Sequence, residues 1–122
     1  MSADIFRWDD FASSGRGLIA GPILPQGIMA LREHIASITY KVKNLTTLAV
    51  VTDSIDLSYM YSSVQPWDRD PNGFTFLWPA SGDLWPNANT DYSITIEFIT
   101  TPLMGNLKFK LVWRVSAKDP DA

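Results

Sequence analysis

The chain has 122 residues, a formal net charge of -3, 46% hydrophobic and 19% charged residues, and no cysteine. This composition predicts one globular domain that buries about two-thirds of its unfolded surface, and it excludes a disordered chain. The lack of cysteine excludes disulfides and thiolate chemistry, and thinly spread basic residues on a net negative chain argue against a nucleic-acid partner.

The N-terminus shows no targeting signal, because Met1–Asp4 has no basic segment followed by an apolar one. No run reaches the roughly 20 apolar residues that a membrane span requires. We therefore expect a protein that is made in the cytoplasm and has no membrane partner.

Residues 1–34 are predicted to form an irregular arm that ends in a short helix. Three aromatic residues between positions 6 and 11 are spaced for a short strand or one helical turn. Residues 13–25 hold three glycines and two prolines, which exclude a helix interior, yet the segment is apolar. Such a segment must lie on its own sheet or on a neighbouring subunit, and the sequence leaves both open. Residues 28–34 are predicted to make two helical turns.

The central part of the chain alternates apolar and polar residues in short runs separated by turn residues. Four strands are predicted there: 35–43, 48–52, 55–61 and 74–78. Asp53-Ser54 is expected to end the second of these strands, and residues 66–73 and 79–90 are expected to be loops.

The clearest pattern is a C-terminal hairpin from Tyr92 to Val115. Its two runs alternate apolar and polar residues, and residues 101–106 between them supply Pro, Gly and Asn for the turn. On the wet face, Glu97 is expected to pair across the strands with Lys108 or Lys110.

Six or seven strands with a turn about every ten residues predict an all-β fold, an antiparallel β-sandwich that is immunoglobulin-like in outline. We expect a single domain over residues 1–122. It is divided into the arm (1–34), the sandwich core (35–116) and a tail (117–122).

The search for chemistry predicts no catalytic residue, no cofactor and no metal. His34 is the only histidine, and no nucleophile elbow accompanies it. Asp68–Gly73 matches the opening of a calcium loop, but Pro79 stands where the bidentate glutamate belongs, so a turn is the preferred interpretation. Most of the thirteen acidic residues cluster in turns or at the tail, which predicts solvated carboxylates and not a catalytic pair.

The chain has five tryptophans. Three of them, Trp67, Trp78 and Trp85, follow Tyr59 and Tyr61 in the predicted loops and strands. Together these rings could form a platform on which sugars stack, although at least two of the tryptophans should belong to the core. A carbohydrate-binding or adhesin-like module using Trp67 and Trp85 is therefore the alternative function.

The chain resembles small all-β structural proteins of tailed bacteriophages. The resemblance covers the start at residues 8–11 with the apolar arm after it, the strand and turn at 37–44, and the closing strand at 92–98. It implies a virion protein that is not an enzyme. The expected role is capsid cement or decoration on the major capsid protein, with a tail or baseplate component as the other possibility.

In a cement role, the arm and the aromatic loops would contact the partner. The expected partner-binding residues are Arg16, Leu18, Ile19, Ile23, Leu24, Trp67 and Trp85. Edge strands and the arm also favour a dimer or trimer over a monomer. Deleting residues 1–25 is then expected to leave the sandwich folded and to abolish particle binding.

Overall fold

The computed structural model describes residues 4–11, 16–24 and 27–119, with side chains described from Gly17 onward. Within these residues the chain forms eight strands and four single turns of 3-10 helix. The strands are β1 (Asp4–Phe11), β2 (Arg16–Ala20), β3 (Ile35–Asn44), β4 (Val50–Ile55), β5 (Met60–Trp67), β6 (Asp70–Ala80), β7 (Thr90–Thr100) and β8 (Lys108–Lys118). The 3-10 turns are Arg32–His34, Leu57–Tyr59, Gly82–Leu84 and Pro102–Met104.

The strands form two packed sheets. The larger sheet has the order β1-β8-β7-β3-β4, and the smaller sheet has the order β2-β6-β5. All pairs are antiparallel except β1 and β8, which run parallel. This order places the last two strands beside β3 and extends them by β4, as in immunoglobulin-like sandwiches of the variable type. The predicted all-β sandwich is thereby confirmed.

The predicted C-terminal hairpin is the centre of the larger sheet. β7 and β8 pair in a regular register over ten residue pairs, from Thr90 with Ala117 to Ile99 with Lys108. Every second side chain of both strands is buried. Since side chains alternate between the two faces of a strand, the apolar set faces the smaller sheet and the polar set faces outward.

Tyr92 ties the loop before β7 to the core. Its ring is buried, and its hydroxyl oxygen accepts a hydrogen bond from the Asn87 backbone N–H at 3.0 Å. A buried tyrosine bonded to the backbone a few residues upstream is the tyrosine corner of immunoglobulin-like folds. Two residues later, where disulfide-bonded members of the fold carry a cysteine, this chain has the fully buried Ile94.

Aromatic rings fill the space between the sheets. The Phe76 and Phe98 rings meet edge to face across the sandwich with centroids 5.3 Å apart, and Phe98 stacks on Phe109 at 5.0 Å. Tyr40 and Trp78 form a second contact at 5.0 Å. Such ring pairs stabilise a core beyond their buried area, so the high aromatic content serves packing to a large extent.

The expected irregular arm supplies two strands. Residues 4–11 form β1, in agreement with the strand alternative for their aromatic spacing, and pair in parallel with β8. Residues 16–20 form β2 and pair with β6, and Leu18, Ala20 and Leu24 are buried. The structure thus places this apolar segment on its own sheet, which was one of the two alternatives.

The predicted helix over residues 28–34 is wrong, since only Arg32–His34 form a helical turn. An antiparallel bridge between Ile23 and Met29 keeps the start of this segment extended. The buried Thr75 hydroxyl donates a hydrogen bond to the Ala30 carbonyl oxygen at 2.6 Å and holds the segment against β6. These tertiary contacts outweigh the local tendency to form a helix.

The strand boundaries in the middle of the chain also differ from the predicted ones. β4 continues through Asp53-Ser54 to Ile55, and the segment predicted as the next strand begins with a 3-10 turn over Leu57–Tyr59. Asp56 caps this turn, because its carboxylate accepts a hydrogen bond from the Ser58 N–H, which lowers the pKa of Asp56. β5 and β6 take up most of the loop predicted at 66–73 and leave only Asp68-Arg69 as the turn.

Candidate interaction surfaces

β4 is an unpaired edge of the larger sheet. It pairs with β3 on one side only, and it is the last strand in the sheet order. All of its residues except Ile55 are exposed, so the strand extends past the smaller sheet. An edge of this kind presents a row of free backbone N–H and C=O groups that can pair with another strand.

The β4 edge also carries exposed apolar side chains. Leu48, Val50 and Val51 are 63%, 46% and 55% exposed. Charged side chains, prolines and bulges normally protect an edge. The register of β4 with β3 is regular from Val50 to Ile55, the strand has no Lys or Pro, and Asp53 is its one charged residue. This strand is therefore suited to pairing with another polypeptide.

The outer face of the larger sheet, which points away from the smaller sheet, carries Lys118 at the end of β8 and a further set of five Lys and Arg residues. We call this set the basic face: Lys41, Lys43, Lys108, Lys110 and Arg114. Lys43 and Arg114 flank Ser93 in one row across the sheet, and Lys41 lies beside Thr95 in the next row. Neighbouring strands lie about 4.8 Å apart, so the cations of β3 and β8 stand roughly 10 Å apart across β7.

A shallow groove of about 550 Å³ crosses this face near β4. Threonines and charged residues line it, including Thr39, Thr52, Glu97 and Lys110. The Glu97 carboxylate and the Lys110 Nζ approach to 3.8 Å, which identifies Lys110 as the cross-strand partner of Glu97. At the groove's rim, burial and the nearby Asp53 carboxylate raise the pKa of the Tyr40 hydroxyl.

A second surface, the apolar end, lies where residues 21–24 and 27–29 meet the β5–β6 hairpin. Its exposed side chains are Ile23, Ile28, Tyr61 and Val64. The two parts pack closely at Gly73. A Cβ atom added to Gly73 would lie 2.6 Å from a Val64 methyl group, and a Cβ atom added to Gly21 would lie 3.1 Å from the Gly73 carbonyl oxygen.

Three aromatic rings cluster beside the apolar end. Phe74 meets Tyr61 edge to face at 5.6 Å and Trp67 edge to face at 6.0 Å. Tyr61 is 38% exposed, whereas Trp67 and Phe74 are half-buried. Of the rings predicted to form a sugar platform, this cluster contains Tyr61 and Trp67, and both remain accessible.

The structure corrects three of the predicted partner contacts. Leu18 and Leu24 are 2% exposed and Trp85 is 0% exposed, so their side chains belong to the core and cannot contact a partner in the folded chain. Ile23 is exposed, and Ile19 and Trp67 are half-buried, so these three can. Arg16 lies in β2 opposite Ala80, and its side chain falls outside the described residues.

The side chains considered for catalysis or metal binding form hydrogen bonds within local turns. His34 Nδ1 accepts a hydrogen bond from the Leu31 N–H at 3.0 Å, so the imidazole caps its own turn. Asp70 accepts one from the Asn72 N–H at 2.8 Å, as in an ordinary turn. In the described part of the chain, no group of three or more His, Cys, Asp or Glu residues is arranged to hold a metal ion.

Comparison with protein families, with curated proteins and with solved structures finds no match to this chain. Within the described ranges, none of the helical segments has the length and hydropathy to cross a bilayer.

The basic face and the β4 edge were not predicted as sites. The sequence places each Lys on a water-facing strand position, but β3 and β8 are 64 residues or more apart along the chain, and only the strand order brings them to either side of β7. The alternating Lys41-Val42-Lys43 and Lys108-Phe109-Lys110 were the signal available. The β4 edge was missed because the sequence does not show which strand lies at the end of a sheet.

Proposed function

We propose that this chain is a non-enzymatic structural protein of a phage virion, a capsid decoration protein that docks on the major capsid lattice as a dimer. It is made in the host cytoplasm and resides in the virion. The observation that carries the proposal is the unpaired, apolar β4 edge, because a strand of this kind is a site for pairing with another polypeptide.

Pairing of β4 with the β4 of a second copy is the simplest use of this edge. An antiparallel pair of identical strands is isologous, so the contact closes on itself and produces a dimer and not a filament. Two linked copies that each bind the lattice weakly gain avidity without a new contact. A decoration protein needs this behaviour, because it stabilises a particle through many weak clamps.

The apolar end supplies a second contact with the capsid. Ile23 and Ile28 are 50% and 52% exposed, and Tyr61 and Val64 extend the same patch. Of the residues expected to bind a partner, Ile23 keeps this role in the proposal, and the half-buried Ile19 and Trp67 remain candidates. A tail or baseplate component would use the same surfaces and would differ only in its partner.

The test combines light scattering with co-sedimentation on expanded capsids of tailed phages that lack decoration protein. Val51→Lys places a charge on the β4 edge, and Leu103→Lys is the matched control, because Leu103 is 98% exposed in the β7–β8 turn far from that edge. We expect the wild type and Leu103→Lys to be dimers that co-sediment with capsids, and Val51→Lys to be a monomer that co-sediments less.

A wild-type monomer that does not bind capsids would overturn the proposal, and binding to isolated tails in place of capsids would assign the chain to the tail. The carbohydrate-binding alternative is favoured by one observation, the Tyr61, Phe74 and Trp67 cluster. Retention on a polysaccharide column that Trp67→Ala abolishes would support this alternative.

A further inference from the structure

The charge of the chain is distributed unevenly. The whole chain carries -3, yet on β3, β4, β7 and β8 the outer face of the larger sheet presents the five cations of the basic face and Lys118. The carboxylates on these strands are Asp91 and Glu97, with Asp53 at the rim of the groove near β4. Four of these five cations are exposed, and Lys43 is half-buried. Glu97 is already paired with Lys110, so it does not neutralise the others.

Three cations of the basic face are concentrated around two hydroxyl groups. Lys43 and Arg114 lie on either side of Ser93, and Lys41 lies beside Thr95. Among the described residues, Lys41, Lys43 and Arg114 form no side-chain hydrogen bond or ion pair. Serine and threonine hydroxyls can donate to a carboxylate oxygen, and lysine and arginine bind it with charge-assisted hydrogen bonds.

We propose that the basic face is a docking surface for an acidic polypeptide segment of the partner, with carboxylates seated between the β3 and β8 cations over Ser93 and Thr95. Cations at positions i and i+2 of a strand repeat about every 7 Å, which is also the repeat of side chains on one face of an extended polypeptide. This inference rests on the proposed assembly function and names the chemistry of its partner.

Nucleic acid fits this surface less well than an acidic polypeptide. Proteins that bind single strands stack the bases on aromatic side chains. None of the described residues that point outward from β3, β4, β7 and β8 is aromatic. The rest of the chain also carries enough negative charge to make the total -3, which repels a long polyanion that extends past the basic face.

The test measures binding of a short peptide of alternating Glu and Thr to the full chain, with the Gln-Thr peptide of equal length as the uncharged control. The substitutions Lys41→Glu and Lys43→Glu, made one at a time, each reverse one charge on the β3 side of the surface. Arg69→Glu is the matched single-charge control, because Arg69 is exposed in the β5–β6 turn and is absent from the basic face. Each protein is also melted, to establish that the exposed substitutions leave the fold intact.

We expect the acidic peptide to bind at low salt and to be released at high salt, and the uncharged peptide not to bind. Each Lys→Glu change should lower the affinity for the acidic peptide about two- to fivefold, as for the loss of an exposed ion pair. Arg69→Glu should leave this affinity nearly unchanged. Equal loss in Arg69→Glu would overturn the proposal, because binding would then follow net charge and not the basic face.

Two further outcomes would redirect the assignment. Tighter binding of a thymidine oligonucleotide than of the acidic peptide would assign the surface to nucleic acid. Salt-sensitive self-association without peptide binding would assign it to a second copy of the chain. Peptide binding needs no capsid, so the two proposals can fail separately. If only the decoration role is wrong, the chain still binds the acidic peptide but does not bind capsids.

Discussion

Trp85 shows how a tryptophan in a loop can serve the core and not a binding site. It follows the 3-10 turn Gly82–Leu84, and its backbone N–H donates a hydrogen bond to the Gly82 carbonyl oxygen at 3.1 Å. The ring is 0% exposed, whereas Trp67 at the β5–β6 hairpin is half-buried. Burial alone separates two residues that the sequence presents as equivalent loop tryptophans.

Trp85→Ala is therefore expected to lower the free energy of unfolding by about 3–5 kcal/mol, because it removes a fully buried ring and leaves a cavity. Trp67→Ala removes an edge-to-face contact with Phe74 and should cost only about 1 kcal/mol. Urea denaturation measures both values. Equal stability of Trp85→Ala and the wild type would mean that the Trp85 ring is not part of the core, and Trp85 would again be a candidate for the predicted sugar platform.

The β7–β8 hairpin and the β2 arm show what could and could not be predicted from the sequence at the scale of the element. The hairpin pairs neighbouring segments in sequence, and both strands alternate cleanly, so local pattern alone was sufficient. β2 pairs with β6 about 60 residues later, and its five residues include Gly17. A strand so short, irregular in composition and dependent on a distant partner has little local signal.

The same limit explains the candidate surfaces. Of the predicted contacts, Ile23 is exposed and its neighbour Leu24 is buried, and no local pattern distinguishes two adjacent aliphatic residues between prolines. The basic face needed the strand order, and the β4 edge needed the position at which the smaller sheet ends. Local alternation thus predicts which side chains of a strand face solvent, but it does not predict which strands become neighbours and combine their solvent-facing side chains into one surface.

Leu24→Ala and Ile23→Ala test the position of the arm at this scale. Leu24 is 2% exposed, so its truncation should cost about 2–5 kcal/mol of unfolding free energy. Ile23 is 50% exposed and should cost about 0.5 kcal/mol or less.

The loss of β1 and β2 on deletion of residues 1–25 should likewise abolish the cooperative melt, contrary to the expectation from the sequence. If Leu24→Ala proves no more destabilising than Ile23→Ala, the arm does not belong to the core and the docking-arm alternative returns.

At the scale of the whole molecule, β4 and the basic face act together. Two β4 strands in one continuous sheet can pair antiparallel only about a two-fold axis perpendicular to that sheet. Such an axis leaves the sheet normal unchanged, so both outer faces point to the same side. A dimer built through β4 would therefore present two basic faces to one acidic surface, as a clamp across two neighbouring subunits requires.

This geometry predicts that affinity for a single acidic peptide and affinity for a dense layer of that peptide respond differently to the loss of the dimer. Val51→Lys leaves the basic face intact, because Val51 pairs with Val42 and points toward the other side of the sheet. Its affinity for the soluble peptide should equal that of the wild type. On a densely coated surface it should bind about 100-fold more weakly, since only the dimer gains from the second attachment.

Surface plasmon resonance at low and high peptide density measures both quantities, with Leu103→Lys as the variant of equal charge that retains the dimer. At low density the three proteins should dissociate at the same rate. At high density only Val51→Lys should dissociate quickly, because each wild-type dimer must release two sites at once. Fast dissociation of the wild type at high density would mean that its basic faces do not point to the same side, and would exclude pairing through β4.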